Sequence, residues 1–425
     1  MQALPNNQET KASATGNYLF PLILITSLFF FWGFIHNLDP ILIPHLRRGF
    51  RLSTLQASFV DSAVFIAYFF MAIPAGILMK KFGYKTGIIT GLMLFAFGCF
   101  LFVPAANYMQ YAFFLGALFI VACGLTVLET AANPYVSLLG PSETSTQRLN
   151  FAQSFNGLAA FIAPIIGGKF ILSDAPLSNK AFAELSATAK TTYLQSETST
   201  VKMPYIILGL VILLVAIIFL FTKLPEIKDN QKDAKKGFFH AFAHKHLKWA
   251  VVAQFFYVGA QVCVLSFLVL FATKVAGITE KQAAYYSGLA GLVFMLGRFA
   301  GTFFMKFIPP PKLLTIYSLV CIMLSLIAIF GSGIITLYAV NGIAFFMSIM
   351  FPTIFALGIK DLGADTKSAS SLIVMSVVGG AALPPILGYI ADATQNIQYG
   401  YVVPLCCFIV TALFGWKGYK TKLIN

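Results

Sequence analysis

A carboxylate inside an apolar run is the first feature of this chain that could do chemistry. Glu129 stands in Leu-Glu-Thr-Ala-Ala-Asn-Pro at 128–134, with Asn133 one helical turn later on the same face. Pro134 withholds a backbone donor and can bend a helix there. Apolar surroundings favour the uncharged form of a carboxylic acid, and a group that takes up and releases a proton is what a reversible carrier needs. The plainer reading is a Glu held by hydrogen bonds for structural reasons. Intramembrane ionisable groups are functional more often than that, because each costs about 2.5–3.5 kcal/mol on insertion scales. Asp39, Asp61 and Arg298 also fall inside apolar runs. Asp39 and Asp61 either face one another, share a cation, or brace a loop; Asp39 precedes Pro40, where a helix is already breaking.

A second set is suited to binding rather than charge transfer. Asn150, Gln153 and Asn156 recur at intervals of three, and Gln254, Tyr257 and Gln261 likewise keep near one face. Amides donate and accept at once, which matches sugar hydroxyls. A lone amide is more simply an interhelical hydrogen bond worth about 0.6 kcal/mol. Two amide faces in different parts of the chain favour a ligand between them. Trp32, His36 and Asn37 could line the same cavity, with His36 a possible second titrating group.

The elements that hold these residues follow from composition. Of 425 residues 58% are hydrophobic and only 10% charged, and the mean hydropathy is +0.82. A soluble domain carries about 25% charged residues, so lipid is the solvent that suits this chain. Apolar runs measured against the ~20 residues that cross a bilayer predict twelve spans. They lie near 18–45, 55–79, 86–104, 109–138, 149–172, 203–223, 248–273, 282–306, 312–330, 334–358, 367–391 and 400–417. The tails and even-numbered connections carry nineteen Lys and Arg against nine in the odd-numbered ones. The positive-inside rule then places both termini in the cytoplasm. Arg47, Arg48 and Arg51 in the first outward loop run against that trend.

The formal charge of +14 does not indicate nucleic acid, since the basic residues occupy gaps between apolar runs and form no stripe among aromatics. All six cysteines lie inside apolar runs, and no CxxC or Cys/His cluster points to a disulfide or a metal. The first seventeen residues are polar, and the first apolar run is too long for a signal segment.

The chain also repeats itself. Pro134 is followed six residues later by Gly140, and Pro352 at the same interval by Gly358. Pro164-Ile-Ile-Gly167 then answers to Pro385-Ile-Leu-Gly388. Spans 4–5 thus resemble spans 10–11. The stretch from Lys223 to Lys248, with seven lysines, lies between the two sets of six. Two similar six-helix halves around a basic connection describe the major facilitator architecture, with its site between halves near the midplane. The Gly379-Gly380 pair serves close helix approach.

Five blocks carry a closer likeness. They are Pro-Ala-Gly-Ile-Leu-Met-Lys-Lys (74–81), Leu-Glu-Thr-Ala-Ala-Asn-Pro (128–134) and Arg-Leu-Asn-Phe-Ala-Gln-Ser-Phe-Asn (148–156). Ala-Gln-Phe-Phe-Tyr-Val-Gly-Ala-Gln (253–261) and Phe-Pro-Thr-Ile-Phe-Ala-Leu-Gly-Ile-Lys (351–360) complete the set. Together they resemble the L-fucose/proton symporter family (fucose, galactose and glucose permeases) of the major facilitators. The resemblance implies proton coupling at Glu129 and a sugar contact at Gln153. The family's helix-1 Asn-Leu-Asn-Asp reads here Asn37-Leu38-Asp39-Pro40, so the carboxylate stands one residue early, and Asp61 becomes a candidate replacement. The family's helix-10 Gln-Tyr-Pro-Thr reads Met350-Phe351-Pro352-Thr353, which implies the loss of two polar groups facing the sugar.

The sequence therefore predicts an all-α membrane protein of major facilitator fold, twelve helices in two pseudo-symmetric halves. The divisions are a cytoplasmic tail at 1–17, halves at 18–223 and 248–417, a basic linker at 224–247 and a tail at 418–425. The expected function is import of a monosaccharide of the L-fucose, galactose or glucose type by proton symport and alternating access, across a plasma membrane. Glu129, Asp39 and Asp61 are the coupling candidates. Gln153, Asn37, Asn156, Asn133, Gln254, Tyr257, Gln261 and His36 are the sugar-binding candidates. The alternative within the class is a sodium-coupled symporter using Asp39 and Asp61. A membrane enzyme or sensor is disfavoured: no nucleophile or metal set clusters, and the tails are short. No cofactor, metal or nucleic acid is expected, only sugar, coupling ion and bilayer, with the monomer as functional unit.

Overall fold

The computed structural model describes residues 19–38, 54–171, 184–225 and 238–420, with positions 42, 46, 50 and 182 besides. The long apolar stretches satisfy their backbone polar groups internally as helices, the only open-chain form that lipid accepts. The first is α1, Leu19–His36. Thr54–Tyr108 holds two helices, α2 and α3, which meet at Gly83. Gly83 has φ +83°, and a residue without Cβ adopts that turn with least strain. Tyr111–Leu138 forms α4, Ser145–Ile171 α5 and Lys202–Phe221 α6.

In the second half α7 is Lys245–Ser266, prolonged after Phe267 by Leu268–Val275. Glu280–Phe304 is α8, opened by a capping box between Thr279 and Gln282. Pro310–Phe330 is α9, with proline in its first turn. Ile334–Met347 and Met350–Gly358 make up α10. Thr366–Met375 and Gly379–Thr394 make up α11, and Ile397–Gly418 is α12. One described helix was not expected: Ala187–Ser199, between α5 and α6, capped by the Ser186 hydroxyl accepting from the Ala189 N–H.

The outside of the bundle is greasy. Phe221 and Phe330 are more than three-quarters exposed, and Phe307 and Tyr389 nearly as much. Inside, small residues bring helices together. A Cβ on Gly124 of α4 would stand 2.5 Å from the Phe95 amide nitrogen of α3. Gly379 of α11 lies against the Phe255 carbonyl of α7, as its sequence position suggested.

The two halves meet through α5 against α8 and α10, and through α2 and α4 against α11. Hydrogen bonds cross this seam from the first two turns of α5 and α11. Ser370 Oγ donates to the Thr130 carbonyl at 2.6 Å, and Ser371 Oγ to the Ala72 carbonyl. Asn150 Nδ2 donates to Thr353 Oγ1 at 3.1 Å, and Gln147 Nε2 to the Thr302 carbonyl at 3.4 Å. These bonds gather toward the end of the bundle where α4, α8 and α10 finish, called below the linker end. The halves are therefore fastened together there.

Candidate functional site

Two prolines at matching places in the halves shape the site. A proline has no N–H for the carbonyl four residues earlier. Pro134 thus leaves the Thr130 carbonyl of α4 without its helical donor, and Pro352 does the same to the Ser348 carbonyl of α10. Both carbonyls are claimed from elsewhere. Ser370 of α11 donates to Thr130, and Arg298 Nε of α8 donates to Ser348 at 3.0 Å. The breaks that proline imposes have become attachment points.

Arg298 reaches further. Its Nη1 donates to the Gln153 carbonyl of α5 at 2.6 Å, so one buried guanidinium ties both halves. The group also lies over the Phe294 ring, 4.6 Å from its centroid. Among the described residues no salt bridge neutralises it; carbonyls and an aromatic face hold the charge instead. Gln153 in turn donates from Nε2 to Asn133 Oδ1 at 3.1 Å. Asn133 stands one turn from Glu129, whose carboxyl has Tyr68 and Asn133 as its polar neighbours. A continuous polar track thus runs from Glu129 through Asn133 and Gln153 to Arg298. All four side chains are at most 4% exposed.

Several buried groups on this track and on α5 and α7 are unpaired. Glu129 Oε1, Asn133 Nδ2, Asn150 Oδ1, both polar atoms of Gln254 and the Tyr257 hydroxyl lack a hydrogen-bond partner. Buried polar atoms are nearly always satisfied, so a set of orphans facing a seam calls for a ligand or water. Tyr257 sits beside Phe351 of α10, with ring centroids 6.5 Å apart. Gln254 is one turn earlier on α7.

Of the residues singled out in the sequence, Glu129, Asn133, Gln153, Gln254 and Tyr257 are buried along or beside the seam. Those of the others that are described are less enclosed. Asn37 turns its amide back onto the Gly33 carbonyl at 2.7 Å, within α1. Asn156 is half-buried and packs on Gly33, fastening α5 to α1. Gln261 is half-buried a further turn along α7, and His36 is exposed, bordering Val64, Val121 and Leu125. Asp39 and the Asp61 side chain lie outside the described residues.

The helix-10 expectation needs a correction. Met350 does not face the seam; its sulfur lies 4.0 Å from Ser318 Oγ on α9, so only position 351 borders the polar track. Adjacent residues of this helix point about 100° apart, so the two positions do not share a face. Sequence reasoning gave Arg298 no role, although its buried charge was a visible signal. Tyr68 and Ser370 carried no signal beyond being polar in apolar company.

Comparison with known proteins completes the picture. The Major Facilitator Superfamily family model matches residues 22–382. The chain is 44% identical to the L-fucose-proton symporter of Escherichia coli (strain K12), over 95% of this chain and 94% of that protein. It is 40% identical to the glucose/galactose transporter of Brucella abortus biovar 1 (strain 9-941), over 99% of both. The crystal structure of FucP, a major facilitator superfamily transporter, in the outward conformation superposes with a TM-score of 0.88 at 43% identity, covering 94% of this chain and 99% of that one. These relatives are transporters, not enzymes. The chain belongs to the major facilitator superfamily and, within it, to the L-fucose–proton symporter family.

Proposed function

We propose that this protein imports a monosaccharide of the L-fucose, galactose or glucose type together with a proton, by alternating access. The observation that carries the reading is the set of unpaired buried groups, Glu129 Oε1, Asn133 Nδ2, Gln254 and Tyr257 Oη, beside the seam between halves. A sugar presents a ring of hydroxyls that donate and accept, which is what such a set lacks. Gln153, Asn133, Gln254 and Tyr257 bind the sugar, and Glu129 carries the proton. The names of the relatives, a fucose-proton symporter and a glucose/galactose transporter, support this substrate range.

The surplus of Lys and Arg assigns the linker end and both termini to the cytoplasm, with the chain crossing a plasma membrane, the inner one in a bacterium. Residues 18–223 and 248–417 then rock as two bodies about the seam. With the linker end fastened, the present state is closed toward the cytoplasm. The monomer contains both halves and so the whole site. A sodium-coupled reading would rest on Asp39 and Asp61; relatives named as sodium-dependent glucose transporters are 26% and 22% identical, and the proton reading follows the nearer ones.

Proteoliposomes test this directly. A panel of labelled monosaccharides is offered with and without an inward proton gradient, at fixed sodium. Gradient-driven accumulation of one of these sugars is expected. Glu129→Gln is expected to abolish accumulation while sugar exchange persists. Accumulation driven by sodium alone, or undiminished in the variant, overturns the proposal.

A further inference from the structure

The segment before α7 ends in a short turn of 3-10 helix, Phe238–Ala243, which carries His240, and His244 stands at the α7 N-cap. Both rings converge on Asp365, at the head of α11. His240 Nδ1 is 3.0 Å and His244 Nε2 3.1 Å from the same oxygen, Asp365 Oδ2. The three atoms all lie within 4.8 Å of one another. Asp365 is 7% exposed, whereas His240 is open to solvent, so the cluster has a wall and an entrance. His246 Nε2 lies 3.1 Å from the Lys360 carbonyl and ties the start of α7 to the turn after α10. None of these residues takes part in the polar track between the halves.

The donor set is selective. Two imidazole nitrogens and one carboxylate oxygen match zinc-class ions, which bind such atoms at about 2.0–2.2 Å in tetrahedral geometry. Calcium and magnesium favour all-oxygen sets and are poorly served. As drawn together here, each ring can donate an N–H to Oδ2; with those nitrogens deprotonated, their lone pairs point at one place. Small ring rotations then close the set around an ion. The sequence showed only a His-x-x-x-His spacing and gave no metal expectation, because the third ligand is 121 residues from His244.

We propose that His240, His244 and Asp365 bind one divalent transition-metal ion of the zinc class, with water in the fourth position, tying the segment before α7 to the head of α11. The test uses the full-length, tag-free purified protein and cobalt(II) as a coloured probe. One equivalent is expected to bind with the strong visible bands of tetrahedral cobalt, and zinc to displace it. His240→Ala, at the exposed position, is expected to weaken binding at least about tenfold, and Asp365→Asn to do the same. Sugar binding retained in the His240→Ala protein shows that it is folded. No stoichiometric cobalt binding by the unmodified protein, or equal affinity in His240→Ala, overturns the proposal and leaves a hydrogen-bonded brace.

Discussion

Removing one hydroxyl, by Ser370→Ala, tests how the linker end is held shut. Ser370 Oγ donates at 2.6 Å to a carbonyl that Pro134 has deprived of its helical donor. In the closed state the variant leaves the Thr130 oxygen buried without a partner. Stranding a buried acceptor costs about 1–3 kcal/mol. When the linker end opens, water reaches the same oxygen, so the open state bears little of this cost. The ratio of open to closed molecules should therefore rise by about 5- to 150-fold, at 1.4 kcal/mol per factor of ten. Ser371→Ala should do less, because the Ala72 carbonyl lies four residues before Gly76, which has an N–H to donate. Spin labels at Lys81→Cys and Lys360→Cys, both exposed at the linker end, report the separation of the halves by double electron–electron resonance, with the exposed Cys406 replaced by serine. A longer-distance population should grow in Ser370→Ala and not in Ser370→Thr, which keeps the hydroxyl. A Ser370→Ala distribution identical to the parent, or an equal shift in both serine-to-alanine variants, would refute the reasoning from Pro134.

Three further outcomes follow from the same contacts. Arg298→Lys removes the fork that serves the Ser348 and Gln153 carbonyls together; one ammonium replaces at most one of two charge-assisted bonds worth about 1.5–3 kcal/mol each. It should lower the melting temperature and slow sugar uptake, and parent-like values for both would remove Arg298 from the seam. Phe351→Tyr places a hydroxyl beside Tyr257 and should change sugar affinity several-fold, whereas Met350→Gln, which faces Ser318, should lower stability and leave affinity alone; equilibrium binding of labelled sugar separates the two. Gly124→Val would drive side-chain atoms into the backbone of α3 and should abolish a monodisperse peak in size-exclusion chromatography, while Gly116→Ala, with nothing within 4 Å, should elute unchanged.

Much of this was legible in the sequence because lipid imposes a simple rule. Each span must be long and apolar, so hydropathy finds α3, α4 and α8 within a few residues. Helix Ala187–Ser199 was missed for the same reason, being polar and held by its Ser186 cap rather than by lipid. Two side chains have local contacts that their positions in the sequence did not suggest. Asn37 looked like a cavity residue, yet a short amide near a helix end readily turns back to a backbone carbonyl, here Gly33. Met350 and Phe351 looked equivalent, but neighbours on a helix point about 100° apart, and Met350 turns toward Ser318. Long-range partners were out of reach altogether. Nothing local tells that Arg298 will meet a carbonyl 145 residues away, or Ser370 one 240 residues away. What the sequence did hold was the pair of prolines, and their meaning is an unmet acceptor rather than a bend.

That acceptor has a place in the proposed cycle. Thr130, whose carbonyl fastens the halves, is the neighbour of Glu129, and Asn133 links the same turn of α4 to Gln153 and so to Arg298. In the proposed cycle, a sugar bound to both Asn133 Nδ2 and the Gln254 amide would draw α4 and α7 together from opposite halves. A proton on Glu129 removes a charge one residue from the latch. In that cycle both ligands would act on the one turn that Pro134 has already loosened from its own helix. A regular helix there would satisfy Thr130 internally, as Gly76 serves Ala72, and losing the Ser370 bond would then strand no acceptor. The repeat of Pro134 at Pro352 gives the second half the same loosened turn, held by Arg298 instead of serine. The two halves are thus alike in what they leave unpaired and different in what fills it. On this view the asymmetry of the partners makes the linker-end latch releasable at α4 and firm at α10.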